Sequence, residues 1–240
     1  MLYLIGTGLG DEKDITVRGL EIVKSCSHVY LECYTNALSV SKEKLEEFYG
    51  KEVILADRDM IEKNSDEILD KAKDSDVALL IIGDVFAATT HVDFMLRAKG
   101  KKVDIEVINN ASVLTAIGEV GLELYKYGKV TSIPFENENV DTPVNVLKDN
   151  QSLGLHTLFL LDLDPKNDNF LSFSSAAKYL ISKGVGEDVV AIGCAALGTK
   201  NKEIKVLKLK DMIEINKYPQ CLIIPGKLHF VEEEALELWK

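Results

Sequence analysis

Residues 77–84 read Val-Ala-Leu-Leu-Ile-Ile-Gly-Asp, an apolar run that ends in a glycine and an acidic residue. A run so short and so uniformly apolar is typical of a β-strand covered on both faces, because no position in it is left for water. Four further short runs are rich in apolar and β-branched residues, and they lie at residues 2–5, 28–31, 52–55 and 103–108. This strand type predicts an α/β protein.

Amphipathic segments separate these runs. Apolar residues recur at three- and four-residue spacing over residues 15–26, and again over residues 68–72 behind Ser65, a residue type that favours helix starts. A third helix is predicted over residues 90–99, ending at Gly100, since glycine is common just past a helix. Strand–helix–strand alternation of this kind predicts a mainly parallel sheet.

The second half of the chain continues the same class. Strands are predicted at residues 157–163, 189–193, 203–210 and 221–224, with helices at 174–182 and 231–239. The polar stretch 135–149, which contains Pro143 and follows Pro134, is expected to be a loop. We therefore predict two α/β lobes, an N-terminal one over residues 1–112 and a C-terminal one over residues 113–240.

Composition narrows the class of partners. The 240 residues contain 28 Lys and Arg against 39 Asp and Glu, a net charge of −11. A nucleic-acid-binding surface needs clustered positive charge, so nucleic acid is not expected as a partner.

The longest apolar run is far shorter than the roughly 18 residues that would indicate a membrane span. The first residues predict a strand rather than a secretory signal, and four cysteines without a C-x-x-C pair suit reduced thiols, so a cytoplasmic location is expected.

Three loops stand where an α/β protein places its ligands, after the carboxyl ends of strands. They cover residues 6–11 (Gly-Thr-Gly-Leu-Gly-Asp), 83–91 and 109–113. A dinucleotide site is one interpretation of Gly6-x-Gly8, with Glu32 near the ribose position. However, Asp11 occupies the place of the third glycine, and neighbouring acids would repel a diphosphate. A cationic or zwitterionic ligand such as S-adenosylmethionine suits the same loop better.

Taken in order, these segments resemble the diphthine synthase family. The resemblance runs from residue 1 to the last helix and includes residues 6–11, 14–20 (Asp-Ile-Thr-Val-Arg-Gly-Leu), 30–32, Tyr34-Thr35, Gly83-Asp84, 88–91 (Ala-Thr-Thr-His), 110–112 (Asn-Ala-Ser), Gly121-Leu122, 124–126, 156–158 and 224–229 (Ile-Pro-Gly-Lys-Leu-His). It implies the tetrapyrrole-methylase-like fold of two α/β lobes with the cofactor in the cleft between them. It also implies a homodimer that uses S-adenosylmethionine to methylate a modified histidine, 3-carboxy-3-aminopropyl-histidine, of translation elongation factor 2 in diphthamide synthesis.

The resemblance also carries over a set of cofactor-binding residues. They are Leu9, Asp84, Ala87, Ser112, Val113, Leu163, Leu207 and His229. Asp84 supplies charge, Leu9 and Ala87 offer loop backbone groups, and Leu163 and Leu207 offer packing for the adenine. Leu207 is aligned by pattern alone, Ser112 equally suits a helix cap, and His229 equally suits an exposed residue before the last helix.

Two departures from the family pattern are visible. Val85 stands where the family has proline, so the φ restraint of proline is missing. Ala196 stands where the family has an arginine. No metal-ligand spacing and no nucleophile motif is present in the sequence, and no residue is singled out as a general base.

Two other functions are kept as alternatives. One is a tetrapyrrole methyltransferase of the same fold, which the acidic balance disfavours because its substrate is a large polyanion. The other is a non-catalytic protein that binds elongation factor 2 and retains the cofactor pocket as scaffold. Cofactor binding without turnover would identify the second.

Overall fold

The computed structural model describes residues 1–34, 40–87, 89 and 91–240. Thr35, Ala88 and Thr90, which are part of the family resemblance, lie outside the described residues. The chain divides into two compact units, Met1–Leu114 and Thr115–Lys240.

The first unit is built on a parallel five-stranded sheet of order β3-β2-β4-β1-β5. Its elements are β1 (Leu2–Gly6), α1 (Val17–Ser25), β2 (His28–Glu32), α2 (Lys42–Tyr49), β3 (Ile54–Ala56), α3 (Arg58–Glu62), α4 (Asp66–Asp74), β4 (Val77–Ile81), α5 (His91–Gly100), β5 (Ile105–Ile108) and α6 (Val113–Ala116). All five strands predicted for this half are present, although β3 and β5 each begin two residues later than expected. Helices α2 and α3 were not predicted.

The β4 strand shows why this sheet has apolar residues at successive positions. Val77, Leu79 and Ile81 pack into one buried cluster, while Ala78 and Leu80 pack into another. Successive side chains of a strand point to opposite faces, so both faces of the sheet are covered. The prediction of a doubly covered parallel sheet is confirmed.

Helix α1 has a side-chain cap, whereas the cap predicted for α4 is absent. Thr16 precedes α1, and its Oγ1 accepts a hydrogen bond from the Gly19 amide at 3.0 Å. Ser65 precedes α4 as predicted, but its hydroxyl makes no capping bond. It accepts instead from the Arg97 guanidinium at 3.4 Å, so the predicted cap is wrong in its chemistry.

The second unit holds a mixed five-stranded sheet of order β11-β10-β12-β7-β6, antiparallel except for the pair β6–β7. Its elements are β6 (Thr131–Ile133), α7 (Thr142–Ser152), β7 (Thr157–Leu161), β8 (Leu163–Asp164), β9 (Asn169–Phe170), α8 (Phe173–Ser182), β10 (Val190–Ala195), β11 (Glu203–Lys208), β12 (Gln220–Ile224) and α9 (Phe230–Leu236). Short 3-10 turns cover Ile117–Val120, Leu124–Lys126, Pro165–Asn167, Leu209–Asp211 and Glu237–Trp239. The α/β class is confirmed, but this sheet is not mainly parallel.

The expectation of a loop over residues 135–149 is wrong in its second half. Helix α7 begins at Thr142, with Pro143 in its first turn, where the missing amide hydrogen costs nothing. Val144 and Leu147 are buried in the core of the second unit. The polar composition of the segment concealed this short apolar stripe.

None of the helices in the described part of the chain is long and apolar enough to cross a membrane.

Candidate functional site

The loops that follow β1, β4 and β5 meet at one edge of the first sheet, because these strands are neighbours and run parallel. Gly8 and Gly83 join the first two loops: the Gly83 amide donates to the Gly8 carbonyl at 2.8 Å, and the Gly8 amide donates to the Gly83 carbonyl at 3.2 Å. Their φ angles of +77° and +86° lie in the region that favours glycine. The two loops therefore form one continuous backbone surface.

Two glycines of the first loop, Gly6 and Gly8, are required by the packing of the protein itself. A Cβ on Gly6 would lie 2.6 Å from the Gly83 carbonyl oxygen and 2.9 Å from Cβ of Asn110. A Cβ on Gly8 would lie 2.6 Å from Cβ of Asp14. Separations this short are not tolerated, so glycine at both positions lets the three loops approach one another.

Asp84 lies at the centre of these loops, with its carboxylate held by neutral donors. Its Oδ2 accepts from the Asn110 amide at 2.9 Å and from the Asn109 side chain at 3.1 Å, and its Oδ1 accepts from the Phe86 amide at 3.2 Å. Partial burial raises the pKa of Asp84, but these donors outweigh it and lower the pKa below its usual value. Asp84 is ionised at neutral pH.

Asn110 fixes the arrangement from the third loop, and the sequence analysis did not assign it a role. Its side-chain amide donates to the carbonyl oxygens of Gly6 and Asp14, both at 2.9 Å, and its Oδ1 accepts from the Ala111 amide at 2.7 Å. Asn110 therefore links the first loop to the third, while its own amide binds Asp84. The Asn-Ala-Ser motif beside a strand end was the signal available for it.

Three of the predicted cofactor residues converge on these loops. A Cβ placed on Gly83, beside Asp84, would lie 3.7 Å from Cδ2 of Leu9 and 3.9 Å from Cα of Ser112. Leu9 is half-buried, and Ser112 is buried with its hydroxyl accepting from the Leu114 amide at 3.2 Å. Ser112 thus caps the short helix α6 as the sequence suggested.

The remaining two predicted residues of this unit are half-buried. Val113 is the first residue of α6, directly after Ser112. Ala87 lies in the turn that follows Asp84, three residues along the chain.

The structure shows how Val85 replaces the family's proline and whether Glu32 is placed to hold a ribose. Val85, where the family has proline, is fully buried in the core, so packing anchors the loop at this position. Glu32 is also fully buried, and its Oε1 accepts from the Tyr34 amide at 2.8 Å. A carboxylate turned into the protein in this way is poorly placed to hold a ribose.

The three predicted residues of the second unit occupy different parts of its sheet. Leu207 lies on β11, half-buried against the core, and the register places it at the end of the sheet where β12 stops. His229 follows that same end of β12 and is exposed. Leu163 follows the end of β7 where β12 begins. The sheet therefore brings Leu207 and His229 to one end and Leu163 to the other.

His229 begins α9 in a reciprocal capping arrangement. Its backbone amide donates to Oε2 of Glu232 at 2.8 Å, while its Nδ1 accepts from the Val231 amide at 3.5 Å. Its ring stands 4.4 Å from that of Phe230. His229 is therefore the exposed residue directly before the last helix, one of the two roles that the sequence suggested.

Within the described residues, no group of three or more His, Cys, Asp or Glu side chains is arranged to hold a metal ion. Ala196, where the family has arginine, is buried, has a φ of +51°, and donates its amide to the Pro219 carbonyl at 2.8 Å. This position supplies a tight turn and no charge.

Comparison with known proteins identifies the family. Residues 1–213 match the family described as tetrapyrrole (corrin/porphyrin) methylases. The chain belongs to the tetrapyrrole methylase family. It is a methyltransferase, as the resemblance predicted, and methylases of this family use a methyl donor.

Two relatives that match this chain over nearly their whole length are named for diphthine. The chain is 43% identical to a probable diphthine methyl ester synthase of Arabidopsis thaliana, covering 100% of this chain and 98% of the relative. It is 40% identical to a diphthine synthase of Methanocaldococcus jannaschii, covering 99% and 98%. A crystal structure of a diphthine synthase matches with a TM-score of 0.93 and 37% identity, covering 99% of this chain and 95% of the other. The predicted two-lobed methylase fold and family are confirmed.

Proposed function

We propose that this methyltransferase uses S-adenosylmethionine to methylate the amino group of 3-carboxy-3-aminopropyl-histidine in translation elongation factor 2. The observation that carries the proposal is the full-length similarity to both diphthine synthases and diphthine methyl ester synthases. The match extends over nearly the whole length of both relatives and is not confined to a single pocket. A homodimer, which the family resemblance implies, and a cytoplasmic location, which is expected from the sequence, are both part of the proposal.

The loops of the first unit suit a cationic methyl donor. Asp84 is ionised, and within the described residues its hydrogen bonds come from neutral groups, with no Lys or Arg paired to it. A negative charge without a protein counter-ion favours an ammonium or sulfonium group nearby. We place Leu9, Ala87, Ser112 and Val113 around the donor with Asp84, and Leu163, Leu207 and His229 as the contribution of the second unit.

For this reaction the protein mainly has to align the methyl donor with the amine. S-adenosylmethionine supplies an activated methyl group on sulfur, and an amine displaces the sulfur in line. Rigid loops that fix the donor lower the entropy cost of reaching that geometry. The hydrogen bonds from Asn110 to Gly6, Asp14 and Asp84 supply this rigidity. The acceptor must arrive as a neutral amine, because an ammonium has no lone pair, and water or a side chain takes its proton.

The second candidate product is a methyl ester on the same modified histidine, in addition to the methylated amine. It is favoured by the similarity to the Arabidopsis relative, whose name specifies a methyl ester, whereas the archaeal relative is named diphthine synthase. The two products differ in alkali: an ester is hydrolysed, while a methylated amine is retained.

The direct test offers the purified protein labelled S-adenosylmethionine and three acceptors in parallel. These are elongation factor 2 bearing the unmethylated modified histidine, the same factor with an unmodified histidine, and a tetrapyrrole. We expect label in the first acceptor alone. Label in the tetrapyrrole alone would favour the alternative of a tetrapyrrole methyltransferase, and donor binding without any transfer would favour the non-catalytic binding protein.

A further inference from the structure

A buried carboxylate in the second unit collects four hydrogen bonds. Glu232 on α9 is 1% exposed, and its Oε1 accepts from Nε2 of His156 and from the Glu123 amide, both at 2.9 Å. Its Oε2 accepts from the His229 amide at 2.8 Å and from the Lys126 ammonium. Four donors fill the acceptor capacity of one carboxylate. Although burial raises the pKa of Glu232, these donors lower it to about 2, so the group is ionised.

His156 extends this network to a second backbone amide. The His156 side chain is fully buried, and its Nδ1 accepts from the Gly226 amide at 2.9 Å. A backbone amide can only donate, so Nδ1 carries no proton and the hydrogen of the neutral ring lies on Nε2, directed at Glu232. Burial lowers the pKa of His156 despite the nearby Glu232, which agrees with a neutral ring.

The network holds both ends of residues 226–229, which lie between β12 and α9. His156 binds the amide of Gly226 at its start, and Glu232 binds the amide of His229 at its end. Between them, the Lys227 amide donates to the Gly154 carbonyl at 3.0 Å. A Cβ on Gly226 would lie 2.5 Å from the backbone carbonyl of Leu155, so the segment is pressed against the chain before β7.

We propose that Glu232 and His156 are positioning residues that hold residues 226–229, and with them His229, in the conformation that binds the methyl donor. The inference rests on the proposed function, in which His229 contacts the donor. A capping role alone needs only Glu232 and His229. The bond from Gly226 to His156 does nothing for α9, and it fixes the segment 226–229 that carries His229.

Two substitutions at one position separate this role from a general loss of packing. His156→Asn places a side-chain oxygen near the former Nδ1, so it retains an acceptor for the Gly226 amide and loses the donor to Glu232. His156→Gln places its amide near the former Nε2, so it retains the donor to Glu232 and loses the acceptor. Both remove the same ring. Glu234→Gln, an exposed site on the same helix, is the matched control.

Affinity for S-adenosylmethionine, measured by calorimetry, and the steady-state constants are the readouts, with thermal unfolding of each variant alongside. We expect His156→Gln to weaken donor binding about tenfold or more relative to His156→Asn, because the partly buried Gly226 amide loses its acceptor and residues 226–229 are no longer held at their start. The effect should appear in KM for the donor rather than in kcat. Glu234→Gln should match the wild type.

Hydrogen exchange provides a readout that needs neither donor nor substrate. The Gly226 amide should exchange faster in His156→Gln than in His156→Asn. The inference is overturned if the two His156 variants bind the donor with equal affinity, or if their affinities differ only as their unfolding temperatures do. Either result would leave the proposed function in place. A wild-type protein that binds no S-adenosylmethionine would instead overturn the proposed function, and the inference with it.

Discussion

Replacing Asp84 with Asn is the sharpest test of the donor site in the first unit. Both carboxylate oxygens accept hydrogen bonds: Oδ2 from Asn110 and Asn109, and Oδ1 from Phe86. An Asn side chain has one acceptor oxygen, so in either orientation its NH2 group faces a donor that it cannot satisfy. The orientation with the oxygen toward Asn110 keeps two of these bonds and loses the one from Phe86.

The expected loss of affinity for the donor follows from this one lost hydrogen bond to a charged group. One hydrogen bond to a charged group contributes about 1.5–3 kcal/mol. If this loss falls on the bound state, affinity for S-adenosylmethionine drops roughly tenfold to more than a hundredfold, at about 1.4 kcal/mol per tenfold. Part of the loss will also appear as a lower free energy of unfolding, because the loops after β1, β4 and β5 are held by the same bonds.

Calorimetry with S-adenosylmethionine measures the affinity, and urea unfolding measures the damage to the fold. Glu32→Gln is the control, since Glu32 is fully buried, accepts from the Tyr34 amide, and retains an acceptor oxygen after substitution. We expect its donor affinity to stay near the wild-type value. If Asp84→Asn binds normally and Glu32→Gln abolishes binding, the placement of the donor site is wrong.

Three further outcomes are expected. Asn110→Ala should lower the free energy of unfolding by about 1–3 kcal/mol and weaken donor binding, because the carbonyls of Gly6 and Asp14 lose their partner; unchanged urea unfolding and unchanged calorimetry would contradict this. Gly8→Ala should destabilise the first loop through its clash with Asp14 and its φ of +77°, and a variant with normal thermal unfolding and normal affinity would refute the packing argument. Burial lowers the pKa of His156 in the folded protein, so the unfolded state binds more protons. The free energy of unfolding should therefore fall as the pH drops from about 6.5 toward the lower pKa of the folded state. Urea unfolding across that range should show a smaller loss in His156→Asn than in the wild type, and equal slopes would exclude this origin.

The sequence predicted the first sheet well because its signal is local. Residues 77–82 are apolar without interruption, and the strand has buried neighbours on both faces. Helix α7 was missed because the polar residues of 135–149 outweighed a stripe of two or three apolar side chains. Proline is common in loops but also suits the first turn of a helix, and Pro143 has the second role here.

The positioning contacts lay beyond what the sequence could predict. Asn110 reaches Gly6 across 104 positions, and His156 reaches Glu232 across 76. No periodicity connects residues so distant, and each has an equally good local explanation as a loop or surface residue. The cofactor residues themselves came from the family resemblance, and the structure brings Leu9, Asp84 and Ser112 together at one sheet edge.

The reaction that we propose for this methyltransferase is methylation of the modified histidine of elongation factor 2. Its most direct test is intact-mass analysis of elongation factor 2 bearing unmethylated 3-carboxy-3-aminopropyl-histidine, after incubation with the purified protein and S-adenosylmethionine, followed by fragmentation. We predict mass increments of whole methylene units, all located on that residue, and none on a factor with an unmodified histidine. An unchanged mass, or methyl groups located at any other residue, would contradict the account.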